Sequence, residues 1–374
     1  MTIRQVSDVR ISPDGARVAF VLKEPADPKK PERERDTNIW VVPADGGAPP
    51  RLFAASSRGD TSPRWSPDGR WLAFLSGRGE PEGTDAKPKS QLYLMPTDGG
   101  EAEALTAGKG EVTRLEWSRD GSMIAFTVTD PPTEEEEKRR KERDDAIHVD
   151  HDVKQSRLWV LRLADRKTDQ ITKQDFSVNG FDWSPDGAEI AACVSPTPKE
   201  NDAGYHSRLV VIKRATGEVA RTLSDRLADV GCTVAWSPDG KSILFSESTP
   251  NGVASWPALA PAAGGPPREI LKDYRGTAFR FEWTPDSRAL VTEGDEGEAA
   301  AGRRGERGAH DARGSLRGCL RGRLQPQPRR PGHRLPRRGG RRAGGGFRPG
   351  ARAAGAPPDH PQPADRCAAP GGPE

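Results

Sequence analysis

Along its first 294 residues the chain alternates apolar-rich runs with polar turns, and one turn phrase recurs before these runs. The phrase is an aromatic or aliphatic residue followed by Ser-Pro-Asp-Gly or a close variant, and its copies begin at Ile11, Trp65, Trp117, Trp183, Trp236 and Trp283. Successive copies are 54, 52, 66, 53 and 47 residues apart. A repeat of about 50 residues with strand-like runs predicts a β-propeller.

The second copy shows what one repeat builds. Its turn at residues 66–69 contains Pro, Asp and Gly, which suit the backbone angles of a tight turn, and residues 70–75 follow as an apolar strand. Residues 91–95 form a second apolar run, and a Thr-Asp-Gly-Gly turn follows at residues 97–100. Residues 101–105 then run back as a fourth strand. Two hairpins give four antiparallel strands, which is the make-up of one propeller blade.

Five copies carry both hairpins, although the second half of the fifth, around residues 254–260, is degraded. The sixth copy has its turn at residues 283–286 and one further strand, and then the pattern stops. The sequence therefore predicts an all-β fold, a β-propeller of four-stranded blades with five near-complete and a partial sixth. We expect each repeat Trp to pack between blades, because large aromatic residues dominate core energetics. An open ring leaves apolar blade faces uncovered, which favours self-association.

The composition changes completely after residue 294. Residues 295–374 contain 17 Arg, no Lys and 8 Asp or Glu, a net charge of +9, so residues 1–294 carry −6 within the chain's total of +3. The tail consists largely of Arg, Gly, Ala and Pro, and Phe347 is its one aromatic residue. Such a segment cannot bury enough apolar surface to offset chain entropy. The predicted domains are thus an incomplete propeller over residues 1–294 and a disordered tail over residues 295–374.

Two interpretations of this tail are open. An Arg-Gly-rich arm binds nucleic acid through phosphates, but the aromatic residues that stack on bases are missing, so no specific nucleic acid is expected as a partner. The other interpretation is out-of-frame translation of a GC-rich gene, because Arg, Gly, Ala and Pro have GC-rich codons. The change falls inside a blade, where a domain boundary is not expected, and this favours the frameshift.

The longest spacing holds a charged insertion within the third repeat. Four Glu at residues 134–137 are followed by four basic residues at 138–141, so each Glu has a basic residue four positions later, which predicts a helix. This helix is either a solvated element or a rim element that contacts another domain. Residues 148–152 follow with two His and two carboxylates, but on a strand His151 points away from the others, so no metal site is predicted.

Several classes of protein are disfavoured. No apolar run is long enough for a transmembrane helix, and residues 1–8 lack the apolar core of a signal peptide. The four cysteines are widely spaced and indicate neither a disulfide framework nor a zinc site; they are Cys193, Cys232, Cys319 and Cys367. We therefore expect a cytoplasmic protein with no cofactor, no metal and no membrane partner.

Two segments resemble a known family. Residues 6–15, Val-Ser-Asp-Val-Arg-Ile-Ser-Pro-Asp-Gly, are similar to the opening of the propeller in prolyl oligopeptidase-family serine peptidases. The charged insertion, from residues 141–145 through to Arg-Leu-Trp at residues 157–159, resembles the acylaminoacyl-peptidase and dipeptidyl-aminopeptidase branch. The resemblance covers roughly residues 4–294. TolB-like propellers share the repeat phrase, so the phrase alone does not distinguish the two.

The resemblance implies a parent protein in which an α/β-hydrolase domain follows the propeller, with a Ser nucleophile in a Gly-x-Ser-x-Gly elbow. It also implies that the propeller admits peptides and excludes folded proteins. The sequence contains no Gly-x-Ser-x-Gly, and Ser315 has the wrong spacing from its neighbouring glycines, so no catalytic residue is assigned. The expected function is a non-catalytic, substrate-gating propeller fragment that lacks its hydrolase partner. The alternative is a stand-alone TolB-like propeller acting as a protein-interaction module.

Overall fold

Each copy of the repeat phrase forms the turn between the first two strands of a sheet. The computed structural model describes residues 4–24, 37–79, 89–142, 153–227, 232–248, 255–270, 278–284, 287 and 289–293. These residues belong to the first of two compact units, residues 1–323. The second unit, residues 324–374, and the whole predicted tail lie outside the described residues, so the domain boundary after residue 294 stays a prediction.

The strands of each sheet are antiparallel and lie side by side in chain order. Blade 1 contains β1 (Gln5–Ile11), β2 (Arg17–Lys23), β3 (Thr37–Pro43) and β4 (Arg51–Ala54). Blade 2 contains β5 (Asp60–Trp65), β6 (Trp71–Ser76), β7 (Gln91–Pro96) and β8 (Glu103–Ala104). Blade 3 contains β9 (Val112–Trp117), β10 (Met123–Thr129), β11 (Ser156–Arg162) and β12 (Thr168–Gln170), with helix α1 (Glu134–Lys141) between β10 and β11.

The later blades follow the same plan. Blade 4 contains β13 (Ser177–Trp183), β14 (Glu189–Ser195), β15 (Arg208–Lys213) and β16 (Val219–Ser224), with helix α2 (Glu200–Tyr205) after β14. Blade 5 contains β17 (Val234–Trp236), β18 (Ser242–Ser248), β19 (Ser255–Pro261) and β20 (Arg268–Glu269). Blade 6 has two described strands, β21 (Ala278–Trp283) and β22 (Ala289–Glu293). The predicted five blades plus a partial sixth are confirmed for the described residues.

The repeat turn is closed by its serine, its aspartate and its glycine. In blade 2, Ser66 Oγ donates a hydrogen bond of 2.6 Å to Asp68 Oδ1 and accepts one of 2.9 Å from the backbone N–H of Trp71. Gly69 has a φ of 70°, a left-handed conformation that glycine adopts without steric cost. Equivalent Ser–Asp hydrogen bonds close the turns of blades 1, 3, 4 and 5. The phrase therefore recurs because each blade needs the same turn.

The hydrophobic cores lie between neighbouring blades. In β6, Leu72 and Phe74 pack with residues of blade 1, whereas Ala73 and Leu75 pack with residues of blade 3. Successive side chains of a strand point to opposite faces, so a blade with neighbours on both sides needs strands that are apolar on both faces. The repeat Trp residues confirm their predicted packing role with exposures of 0% to 8%; they are Trp65, Trp117, Trp183 and Trp236.

The first strand of blade 1 exposes apolar side chains. Ile11 stands where the other blades have Trp and is 62% exposed, and Val6 and Val9 are also exposed. The uncovered apolar face expected of an open ring is therefore present on β1. At the other end, the side chains of β21 and β22 apart from Trp283 lie outside the described residues.

The predicted helix of the charged insertion is confirmed as α1. Thr133 and Glu136 form a capping box at its start, in which each side chain accepts a hydrogen bond from the backbone N–H of the other residue. Glu136 forms an ion pair with Lys154, which follows the insertion, and Glu137 forms one with Lys109. These contacts hold the described part of the insertion against blades 2 and 3.

The structure contains one disulfide that the cysteine spacing did not predict. Cys193 in β14 and Cys232 just before β17 form a disulfide, with Cα atoms 6.2 Å apart. The two residues are 39 positions apart in the chain. The expectation of no disulfide framework missed this pair, because the packing of blade 4 against blade 5 brings the two sulfurs together.

Candidate functional site

The first strands of successive blades contact one another, β1 with β5, β5 with β9, β9 with β13, and β13 with β17. Strands that meet in this way surround the central axis of a propeller. Charged residues near their ends therefore converge, although no site residue was predicted there. We call this group the axial cluster and define it as Asp8, Arg64, Glu116, Arg119 and Asp182.

Arg64 joins the first three blades within the axial cluster. Its Nη1 contacts both carboxylate oxygens of Asp8 at 3.0 and 3.1 Å, and its Nε donates a hydrogen bond of 3.0 Å to Glu116 Oε1. Asp8 reaches this position from a β-bulge, where its φ is 45°. Burial acts to lower the pKa of Arg64, but the carboxylates of Glu116 and Asp8 outweigh it and raise that pKa. Arg64 is thus permanently charged and held between two acids.

Arg119 and Asp182 form the second half of the axial cluster and hold blade 5. Asp182 Oδ2 accepts a hydrogen bond of 2.7 Å from the backbone N–H of Trp236. Arg119 Nη2 lies 3.2 Å from Asp182 Oδ2 and 3.2 Å from the backbone oxygen of Trp236. The two side chains therefore bind both polar groups of one backbone position, and blades 3, 4 and 5 meet there.

The environment of Asp182 changes its acidity. Burial, which penalises the charged form, raises the pKa of Asp182 to about 6, against the lowering effect of Arg119 and of the backbone N–H of Trp236. Glu116, a second acid in the cluster, adds to the rise. Asp182 can therefore gain a proton in mildly acidic solution, unlike an ordinary surface aspartate.

A cavity of about 250 Å³ opens beside these charges. Its walls combine the charged groups of the axial cluster with aromatic and proline side chains; they are Arg64, Trp65, Pro67, Glu116, Trp117, Ser118, Arg119 and Asp182. A concave site with apolar walls and a few convergent polar groups is the usual form of a small-molecule site. The arrangement can bind and orient a small polar ligand, and none of its residues forms a nucleophile–base pair.

One signal in the sequence could have located this site. The second position of the turn motif is Pro in five of the six copies, whereas the third copy has Arg119 there. Proline presets the turn, so its replacement gives up a local preference in exchange for a long charged side chain. A departure of this kind from the repeat consensus marks a position whose side chain has a role beyond forming the turn.

The sequence also contains a candidate metal site at residues 148–152, where no metal is predicted. Residues 148–152, with His148 and His151, lie outside the described residues. Within the residues that are described, no group of three or more His, Cys, Asp or Glu side chains is placed to hold a metal ion. In the same residues, no helix has the length and apolar character needed to span a membrane.

Comparison with known proteins places the fold among peptidase and TolB propellers. The protein-family model of the TolB β-propeller domain matches residues 5–140 of the sequence. An uncharacterized peptidase, YuxL of Bacillus subtilis, is 32% identical over 248 residues, which cover 65% of this chain and 30% of the relative. Dipeptidyl-peptidase 5 of Porphyromonas gingivalis is 24% identical over 317 residues, which cover 78% of this chain and 44% of the relative.

Solved structures agree with this placement at the level of fold. The acylaminoacyl peptidase of Pyrococcus horikoshii superposes with a TM-score of 0.56 and 17% identity, over 80% of this chain and 44% of that one. The chain thus spans between 30% and 44% of the length of these relatives. The described part of the chain is a β-propeller related to those of the acylaminoacyl and dipeptidyl peptidases of the prolyl oligopeptidase family.

Proposed function

We propose that this chain is the non-catalytic, substrate-gating propeller of a prolyl oligopeptidase-family serine peptidase, whose α/β-hydrolase domain lies outside the chain. The observation that carries the proposal is the 248-residue match to a peptidase at 32% identity. The axial cluster supports it, because charged side chains and a cavity at the propeller axis lie where a peptide would pass. A cytoplasmic location and a frameshift after residue 294 belong to the same proposal.

The absence of catalysis is tested on the chain alone. We expect no hydrolysis of chromogenic aminoacyl or acyl-peptide substrates, and no labelling by a fluorophosphonate serine probe, because the sequence contains no Gly-x-Ser-x-Gly elbow. Subtilisin serves as the labelling control. Stoichiometric labelling of one serine, or turnover of any substrate, contradicts this part of the proposal.

Gating is tested in a chimera. The matched 248-residue segment of this chain replaces its counterpart in the Bacillus subtilis relative, so that the relative supplies the rest of the protein. We expect the chimera to cleave short peptides and to spare the same cleavage site within a folded protein. Equal cleavage of both substrates means that this propeller does not gate, provided that the unaltered relative discriminates between them.

The match of residues 5–140 to the TolB propeller model supports one other function. A stand-alone propeller of this kind acts as a protein-interaction module and has no hydrolase domain. Under that alternative, the chimera folds but loses size discrimination.

A further inference from the structure

Two residues that line the cavity, Arg119 and Glu116, have polar atoms without a hydrogen bond among the described residues. Both described hydrogen bonds of Arg119 come from Nη2, so its Nε and Nη1 make none among the described residues. Glu116 accepts from Arg64 through Oε1, and its Oε2 has no hydrogen bond among the same residues. The side chains of Arg119 and Glu116 are 46% and 37% exposed. The cavity therefore offers one cationic donor edge and one anionic acceptor.

The charges that line the cavity also balance. Arg64 and Arg119 oppose Glu116 and Asp182, so the lining has no net charge when all four groups are ionised. A ligand that carries both signs meets a lining group of opposite charge for each of its own charges. Guanidinium groups bind carboxylates through paired N–H donors, and carboxylates bind ammonium groups through charge-assisted hydrogen bonds.

The size and walls of the cavity limit the ligand further. A volume of about 250 Å³ lies below the usual range of drug-sized pockets, which begins at about 300 Å³. Trp65, Trp117 and Pro67 supply apolar wall beside the charges. The ligand that matches these features is small, has an ammonium and a carboxylate close together, and carries an apolar side chain.

We propose that this cavity binds the zwitterion of an apolar α-amino acid or dipeptide, with the carboxylate on Arg119 and the ammonium on Glu116. The zwitterion follows from the opposite charges of two lining groups, and the choice of amino acids among small zwitterions rests on the proposed function, since peptidases release them. Asp182 positions Arg119 by holding its Nη2.

The test measures binding of leucine, N-acetylleucine, leucinamide and leucyl-leucine to the full chain by isothermal titration calorimetry. Leucine or leucyl-leucine should bind at least about tenfold more tightly than either blocked compound, since each blocked compound loses one charge-assisted contact. The tighter of the two zwitterions shows whether the cavity prefers a free amino acid or a dipeptide. Equal affinity for blocked and zwitterionic compounds, or no binding at millimolar concentration, overturns the proposal.

Matched variants assign each end of the ligand. Arg119→Gln should weaken leucine binding and remove the discrimination against leucinamide, and Glu116→Gln should remove the discrimination against N-acetylleucine. Arg119→Pro restores the repeat consensus, so it provides a second variant suited to the fold and should behave as Arg119→Gln. Arg166→Gln is the control, because Arg166 lies in the turn between β11 and β12, is 43% exposed and pairs with Glu103 of β8. Unchanged discrimination between zwitterionic and blocked compounds in both site variants also overturns the proposal. The gating test on the chimera is a separate measurement, so a failure of the proposed function is distinguishable from a failure of this binding proposal.

Discussion

The indole Nε1 of Trp183 donates a hydrogen bond of 3.1 Å to the backbone oxygen of Glu116, one blade earlier. The same bond joins each of three other blades to the one before it; the pairs are Trp65 to Arg10, Trp117 to Arg64, and Trp283 to Ala235. The repeat Trp therefore both fills the core and ties its blade to the preceding inner strand. This explains why Trp recurs at a position where any large apolar residue could fill space.

Blade 5 departs from this rule at the candidate site. Trp236 Nε1 donates to the backbone oxygen of Gly240 in its own turn, at 3.2 Å, and not to the preceding blade. There, Asp182 and Arg119 bind the backbone of Trp236 instead. Between blades 4 and 5, the charged side chains of Asp182 and Arg119 therefore replace the indole hydrogen bond of the repeat. The same two side chains line the cavity.

Loss of the indole bond should weaken the contact between blades. Trp183→Phe leaves the carbonyl of Glu116 without its indole donor, which costs about 1–3 kcal/mol of unfolding free energy. Chemical denaturation monitored by far-UV circular dichroism measures the change. Leu52→Ala is the control, because Leu52 is an exposed residue of β4 and should change stability by about 0.5 kcal/mol or less. A Trp183→Phe variant as stable as the parent shows that the bond does not stabilise the propeller.

A close backbone approach between blades 4 and 5 gives a second stability prediction. A Cβ atom on Gly180 would lie 2.4 Å from the backbone oxygen of Cys232, so Gly180→Ala forces the two segments apart. We expect a loss of about 1–3 kcal/mol, typical of overpacking. Gly108→Ala is the matched control, because its Cβ would meet nothing closer than 3.9 Å. Similar thermal unfolding for the two variants would contradict this account of the interface.

The raised pKa of Asp182 predicts a dependence of stability on pH. An unfolded aspartate loses its proton near pH 3.8, whereas folded Asp182 keeps it up to about 6, so this residue makes stability fall as pH rises from 3.8 to 6. The total change is about 3 kcal/mol. Asp182→Asn should remove this part of the slope, measured as the free energy of unfolding between pH 4 and 7.

The control for this titration is Leu52→Ala, because Leu52 is an exposed residue of β4 and its replacement removes no titratable group. It should leave the slope between pH 4 and 6 as in the parent. If Asp182→Asn also leaves the slope unchanged, then Asp182 titrates normally and the cavity is more solvated than the structure indicates.

The uncovered strand of blade 1 predicts self-association. Ile11→Lys places a charge at the position where a preceding blade would pack, and it should shift the chain from oligomer towards monomer in size-exclusion chromatography with light scattering. Leu52→Lys introduces the same charge on β4 and should have little effect. A monomeric parent chain at high concentration, with cooperative melting, shows that β1 is covered in solution.

The sequence predicted the repeat and its strands well, because each blade encodes them locally. Ser66, Asp68 and Gly69 close a turn within four residues, and strand alternation follows from packing on both faces. The axial cluster depends on contacts across 50 residues or more, such as Arg64 with Glu116 over 52 positions. Spacing alone does not reveal which charged residues converge. The Cys193–Cys232 pair was missed for the same reason, since it depends on how two blades pack.

The central claim, that this chain is the propeller of a serine peptidase, is tested most directly by resequencing its gene from codon 283 onward. The account predicts that a corrected frame continues into further blades and then into a hydrolase-sized segment with Gly-x-Ser-x-Gly. Confirmation of the present frame through residue 374, with no such segment downstream in any frame, would contradict it and favour the interaction module.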